Sequence, residues 1–549
     1  MKDMEISEFA QNIYKTEVNP TVSRDIIESV LLDIIINLLP GDDSETLGVN
    51  DNFFNCGGDS MMAIELIAAA RKKGVKVGVK QIADYPTVFL LSENIYQESL
   101  KTNSDLNIGV SNDQKLPLLP NQSAYAFTKS MTVAIYLLKP KFHLHKETLE
   151  AALQEMIRRH EALRIRFYAN GLEFRQSINH YRSNTPVLEC FQLNMDRAQP
   201  LKTILSDYYQ DLITNLDIEK DEVRLRAALF EWNNEQAFFL AIDHYSCDEL
   251  SMKLFWSELF LLYTQKSLPL VRVPYHQIIS TLDNLTQTWS YKEEQDFWLK
   301  QHEKIVHLPK TQKLTLEKNE GIKAKVLAFS GEEWVSTFLQ HVPRITGMQI
   351  NEMLLACWLQ SISEWSKIVG LVTILGNHNR KLLDDMIHTM GCFVTAYPLY
   401  IELPIELDIR HAVNILRERS KEVPHGGTRY MLSMMNQPEW KEKVFALPQP
   451  SIGFNYLGED ELKQEMWKDW EYEIKGELVS VSHGKLLPGR HQSTNNIPYL
   501  ILHCQINSHN QRILLTCDYD SSYYDELSID NLLAIYQHRM ASFTIQLAG

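Results

Sequence analysis

The sequence predicts a small all-α bundle near the N-terminus, followed by a large α/β unit built as two lobes. Three observations lead there. Apolar residues recur at helical spacing in two segments before residue 75, and a polar stretch without periodicity covers 99–115. Beyond it, about 430 residues, too many for one usual core, alternate helical patterns with short apolar runs that read as strands. The 549 residues also exceed the roughly 100–200 of a single domain.

With 44% hydrophobic and 23% charged residues, the whole chain is expected to fold. A formal charge of -16 repels phosphate backbones and anionic lipid, which argues against nucleic-acid and membrane partners. The longest apolar run, 30–39, is broken by Asp33 and Asn37 and falls far short of the ~20 residues that cross a bilayer. The opening MKDMEISEFA lacks the apolar stretch of a secretory signal, so a cytoplasmic location is expected. The seven cysteines are scattered without a CxxC pair or zinc-ligand spacing, and read as reduced structural thiols with no metal site.

Along the chain, Ile26, Ile27, Val30, Leu31, Ile34, Ile35 and Leu38 give the i, i+3, i+4, i+7 stripe of an amphipathic helix over 22–39, with Ser23 as its N-cap. A Gly/Asp/Asn-rich loop precedes a second helix, SMMAIELIAAARKKG, closed by Gly74. Pro86 and Thr87 open a third through Val88, Leu91 and Ile95, so the bundle has its core at about 22–98 and ends near 98. In the large unit ETLEAALQEMIRRHEALR reads as a helix, and AFFLAID, LVTIL, AYPLYIEL, YLILHCQI and RILLTCDY read as strands.

Residues 51–66, DNFFNCGGDSMMAIEL, resemble the attachment motif of peptidyl and acyl carrier proteins. That resemblance implies an all-α four-helix-type carrier bundle over 1–98, in which Ser60 accepts 4'-phosphopantetheine from coenzyme A through a phosphopantetheinyl transferase, with Asp59 beside it. The residues suit the task. Gly57 and Gly58 free the backbone to present Ser60 at a turn, and the following helix turns its positive end toward a phosphodiester. The plainer alternative, that Asp59 or Ser60 is only a helix N-cap, does not account for Phe53, Phe54 and DYPTVFLLSENI, which also match a carrier.

Separated segments after residue 115 resemble, in order, the condensation and epimerization domains of nonribosomal peptide synthetases. These are LLPNQSAYAF (118–127), RHEALRIRF (159–167), AIDHYSCDELSM (241–252), the 375–403 stretch containing GNHNR and MGCFVTAYP, PHGGTRYM (424–431) and GFNYLGE (453–459). The resemblance implies two chloramphenicol acetyltransferase-like lobes, 116–285 and 286–549, after a 99–115 linker. It places His244 and Asp248 on the family's HHxxxDG motif, His244 as catalytic base and Asp248 as structural support, with Asp243 and Glu249 replacing the first His and the Gly. Aligning His378 and Arg380 with the epimerization pattern EGHGRE puts Gly376 where that family has its second catalytic carboxylate. The FNYLG signature is of epimerization type, and Asn455 and Tyr456 are channel candidates.

Inverting an α-carbon needs a base on one face and an acid on the other. His244 supplies one, leaving the second to His378, Tyr456 or water. Three readings stay open: epimerization-type processing of a carrier-bound aminoacyl or peptidyl thioester, amide-bond formation, and a non-catalytic platform that recruits a tailoring enzyme. Asp243 bears on these, since a negative charge close to His244 raises the imidazole pKa. The resemblance further implies an adenylation domain or protein acting on the carrier, and a downstream synthetase module or recruited tailoring enzyme as partner.

Overall fold

The computed structural model describes residues 24–39, 47–73, 75, 77–99, 115–123, 130–170, 173–181, 186–193, five positions between 205 and 213, 216–266, 268, 273–311, 322–380, 382, 386, 388–459, 470–482, 485–486, 499–507 and 511–548. The Ser23 and Gly74 cap assignments lie outside the described residues. The chain divides into two compact units, Met1–Gly109 and Val110–Gly549.

The first unit contains helices α1 (Arg24–Leu38), α2 (Ser60–Lys72), α3 (Val79–Asp84) and α4 (Val88–Ser99). Its core takes Ile27, Leu31, Ile34 and Ile35 from α1, Met62, Leu66, Ile67 and Ala70 from α2, Ile82 from α3, and Val88, Leu91 and Ile95 from α4. With six residues, α3 is too short to show a periodic stripe, and the sequence reading passed over it.

Asp59 is the N-cap of α2: its carboxylate accepts the N–H groups of Met61 and Met62 at 2.8 Å each. The loop before it is fixed by a close approach. Gly58 donates its N–H to the Phe53 carbonyl, and a Cβ on Gly58 would lie 2.6 Å from the Phe53 ring, so only glycine fits. Asp59→Ala is expected to lower the stability of this unit by about 1 kcal/mol, and Asp59→Asn by much less, measured as denaturation midpoints.

The second unit holds three sheets. The strands are β1 (Leu116–Pro117), β2 (Ser130–Pro140), β3 (Ile165–Asn170), β4 (Glu173–Ile178), β5 (Leu188–Gln192), β6 (Leu225–Trp232), β7 (Glu235–Asp243), β8 (Ile322–Ser330), β9 (Gly370–Asn377), β10 (Thr395–Glu402), β11 (Ile452–Glu459), β12 (Trp470–Ser482), β13 (Lys485–Leu486), β14 (Leu500–Asn507) and β15 (Arg512–Asp520). The first lobe is built on the order β13-β12-β2-β7-β6-β5, the second on β10-β9-β11-β14-β15-β8, and β1-β4-β3 forms a small third sheet.

AFFLAID is buried along its whole length because β7 lies inside its sheet, between β2 and β6. Helices α5 (Lys146–Arg159) and α6 (Glu249–Tyr263) contribute Leu153, Met156, Met252 and Phe255 to the same core. In the second lobe α7 (Ile350–Ser366) and α8 (Glu526–Ala548) pack with Leu371, Leu399, Phe454, Leu502 and Cys517 of the sheet.

A boundary at 285/286 does not separate the lobes. Strand β12 crosses back and pairs antiparallel with β2 from Trp470 opposite Pro140 to Ser482 opposite Ser130. Met386, Met390 and Phe393 likewise belong to the core of the first lobe. Among the described residues no helix is long and apolar enough to cross a membrane.

Candidate active site

Strand β7 delivers His244 to the segment that leads into β10 of the second-lobe sheet. The backbone N–H of His244 donates to the Thr132 carbonyl at 2.8 Å, and its half-buried ring brings Nδ1 to 3.8 Å from Cys392 Sγ. Burial pushes the Cys392 thiol up to about 12, so it faces the imidazole as a neutral S–H group. The opening motif supports this loop from below. Gln122 donates to the Tyr245 carbonyl at 3.0 Å and contacts Tyr275 and Gln176, while Asn121 bonds the Val394 carbonyl beside Cys392.

The fully buried Asp243 carboxylate accepts the Tyr245 N–H and lies 3.8 Å from Arg224. Burial raises it to about 6 although Arg224 opposes the shift.

Asp248 is fully engaged. It caps α6 through the Ser251 N–H at 2.8 Å, accepts the Ser251 hydroxyl, accepts Arg380 Nη2 at 2.6 Å, and receives the Phe393 N–H at 3.2 Å. Arg380 also donates to the carbonyls of Met386, Thr389 and Gly391. The carboxylate therefore ties Arg380 and Phe393 to the N-terminus of α6.

Strand β9 ends at the second corner of the site. Gly376 pairs with Ala396 and Asn377 with Thr395, three residues after Cys392 and hence within about 11 Å of it along the chain. His378 turns into its own loop, where Nδ1 accepts the Arg380 N–H at 3.3 Å. Asn377 donates to the Gly426 carbonyl at 3.1 Å and to Thr428 Oγ1 at 3.0 Å, tying the PHGGTRYM segment to this corner. There Gly427 has φ +78°, and a Cβ on it would sit 2.1 Å from the Tyr397 ring.

Asn455 and Tyr456 do not share a face. Strand alternation puts Phe454 and Tyr456 against the helix-side core of the second lobe and leaves Asn455 on the opposite face, next to Gly376. A Cβ on Gly376 would lie 3.6 Å from Asn455 Oδ1. Tyr456 packs against the core of the second lobe and is partly exposed. Asn455 continues to His503 on β14, Nδ2 to Nδ1 3.3 Å, and His503 Nε2 lies 3.4 Å from Asp518 Oδ2 on β15. Sequence reading missed this row, although a histidine inside the apolar run LILHCQI was a visible signal. Among the described residues no group of His, Cys, Asp or Glu is arranged to hold a metal ion.

Position 60 begins a 13-residue helix, with the positive end of the dipole where a phosphodiester would lie, and open space surrounds Gly57 before it. These residues fit a covalent phosphopantetheine.

The family profile described as "Condensation domain" matches residues 112–546, and that described as "Phosphopantetheine attachment site" matches 29–95. Tyrocidine synthase 1 of Brevibacillus parabrevis is 25% identical over 93% of this chain and 47% of its own length. Gramicidin S synthase 1 of Brevibacillus brevis is 23% identical over 94% of this chain, again 47% of the relative. The chain thus spans less than half of either relative. Among solved structures, the epimerization domain from the third module of tyrocidine synthetase B aligns with TM-score 0.66 at 16% identity, covering 81% of this chain and 99% of that one. The first condensation domain of the CDA synthetase gives 0.61 at 13%, covering 80% and 98%. The X-domain from teicoplanin biosynthesis gives 0.57 at 16%, covering 79% and 96%. At these identities the likeness is one of fold.

Proposed function

Because this chain belongs to the condensation-domain family and carries a phosphopantetheine attachment domain ahead of that region, we propose that it works on an aminoacyl or peptidyl thioester held at Ser60, by epimerization-type proton exchange at the α-carbon. One observation carries the reading: Asn455 of the FNYLG strand shares a corner with position 376, the place the epimerization pattern gives to its second acid–base group. That adjacency supports the epimerization reading although the carboxylate itself is absent.

The arm, when attached, supplies the thioester and the reach of a flexible tether, so weak docking of the carrier suffices. His244 is the base that takes the α-proton, and Asp248 holds the loop that carries it. With Tyr456 on the core side, return of a proton to the opposite face falls to His378 or to solvent. Slow exchange is the expected rate class. Partners follow from this reading: a phosphopantetheinyl transferase, an adenylation domain or protein that loads the carrier, and a downstream synthetase module.

Gly376 favours a second reading, a non-catalytic platform that recruits a tailoring enzyme to the carrier. Loading Ser60 with aminoacyl groups in deuterated solvent separates these. Deuterium at the α-carbon, lost in His244→Ala, is the expected result. Amide product with an added amine and no deuterium would instead mean condensation. Neither, together with binding of a separate tailoring enzyme, would mean recruitment.

A further inference from the structure

Gly376, Asn455 and His503 lie side by side on β9, β11 and β14, on the face of the second-lobe sheet opposite α7 and α8, and Asp518 on β15 stands diagonal to His503, opposite Ile501. Asp518 is buried, with its Oδ2 3.4 Å from His503 Nε2. The contact has ion-pair distance without hydrogen-bond geometry, and the charge of a carboxylate on that side favours the proton on Nε2 and leaves the lone pair on Nδ1. Asn455 then meets Nδ1 as a donor, through Nδ2 at 3.3 Å, and its carbonyl oxygen is turned to the other side, toward position 376.

We infer that His503 and Asp518 are positioning residues that fix the Asn455 amide, and that Asn455 Oδ1 is the acceptor for the N–H on the α-carbon of the tethered substrate. The deduction rests on the reading above for where that α-carbon lies. It assigns the ligand chemistry of the corner: an amine or amide hydrogen on the nitrogen attached to the reacting carbon. With Gly376 contributing no side chain, the Asn455 carbonyl is the polar group presented there. The opposite amide orientation would set an NH2 group against that donor.

Two pantetheine amides test it on the full-length chain carrying Ser60→Ala, one bearing an amino acid and the other the matching acid without its α-amine. The parent chain is expected to prefer the amine-bearing probe about tenfold, the worth of one hydrogen bond to a charged donor. His503→Leu should reduce that preference below about twofold. His503→Gln, able to accept from Asn455 and donate to Asp518, should keep it. In the same chain, 15N-histidine NMR should find His503 as the Nε2–H tautomer.

Equal binding of the two probes by the parent chain, an undiminished preference in His503→Leu, or an Nδ1–H tautomer would each overturn the inference. If the Leu variant does not fold, the parent's probe preference, the Gln variant and the tautomer decide. Absence of α-proton exchange with the probe preference intact would overturn the epimerization reading and leave this one standing.

Discussion

Gly376→Glu is expected to raise α-proton exchange on the loaded carrier about 100-fold, the low end of what a positioned acid–base group contributes. The position is exposed and ends a regular strand, and a Cβ there has Asn455 Oδ1 at an ordinary 3.6 Å. The first carbon of a side chain thus fits there without displacing a neighbour. On the epimerization reading proposed above, the new carboxylate would restore the second acid–base group that complements His244. Mass-spectrometric deuterium uptake reads the rate, and a chiral analysis of the released amino acid reads inversion. Unchanged exchange in a folded Gly376→Glu variant would argue against epimerization-type chemistry and for the platform.

The largest loss of stability is expected from Arg380→Met. Arg380 and Asp248 are both completely enclosed, and their contact at 2.6 Å is one of several bonds that the guanidinium makes. Removing one partner strands a charge in the interior and typically costs 3–5 kcal/mol, about that much here. The carbonyls of Met386 and Thr389 lose their donor as well. Arg380→Lys should fall between parent and Met, since an ammonium cannot reproduce the planar fork. Urea denaturation of the second unit measures both. A double variant that also replaces Asp248 with Leu should be less damaged than the sum of the single changes.

Much of the frame was legible. The stripe Ile27, Leu31, Ile34 and Ile35 became the buried face of α1, and AFFLAID became a central strand because an unbroken apolar run of that length can hide both faces. His244 and Asp248 were assigned through their resemblance to one short motif. Arg380 pairs with Asp248 from 132 residues away, and no spacing rule reaches that far. His503 and Asp518 meet only through cross-strand register, which the apolar alternation of β14 and β15 hints at but does not assign. Strand β12 escaped for a different reason: its two register shifts, at Tyr472/Ile474 and Lys475/Glu477, break the period of two by which strands are recognised. Asn455 and Tyr456 are neighbours in the motif, yet alternation along β11 sends them to opposite faces, which the motif alone does not convey.

The return of β12 to the sheet of the first lobe bears on how this molecule can be dissected. A gene fragment stopping at residue 285 would lack the strand that covers β2, an 11-residue ribbon whose buried stretch runs from Val133 to Leu138. Such a fragment would expose a long apolar hydrogen-bonding margin and self-associate, whereas supplying 286–549 in trans would cap that margin and restore solubility. A cut at 285 would also fall inside the helix Tyr275–Gln287, so the two fragments are expected to be soluble only when present together.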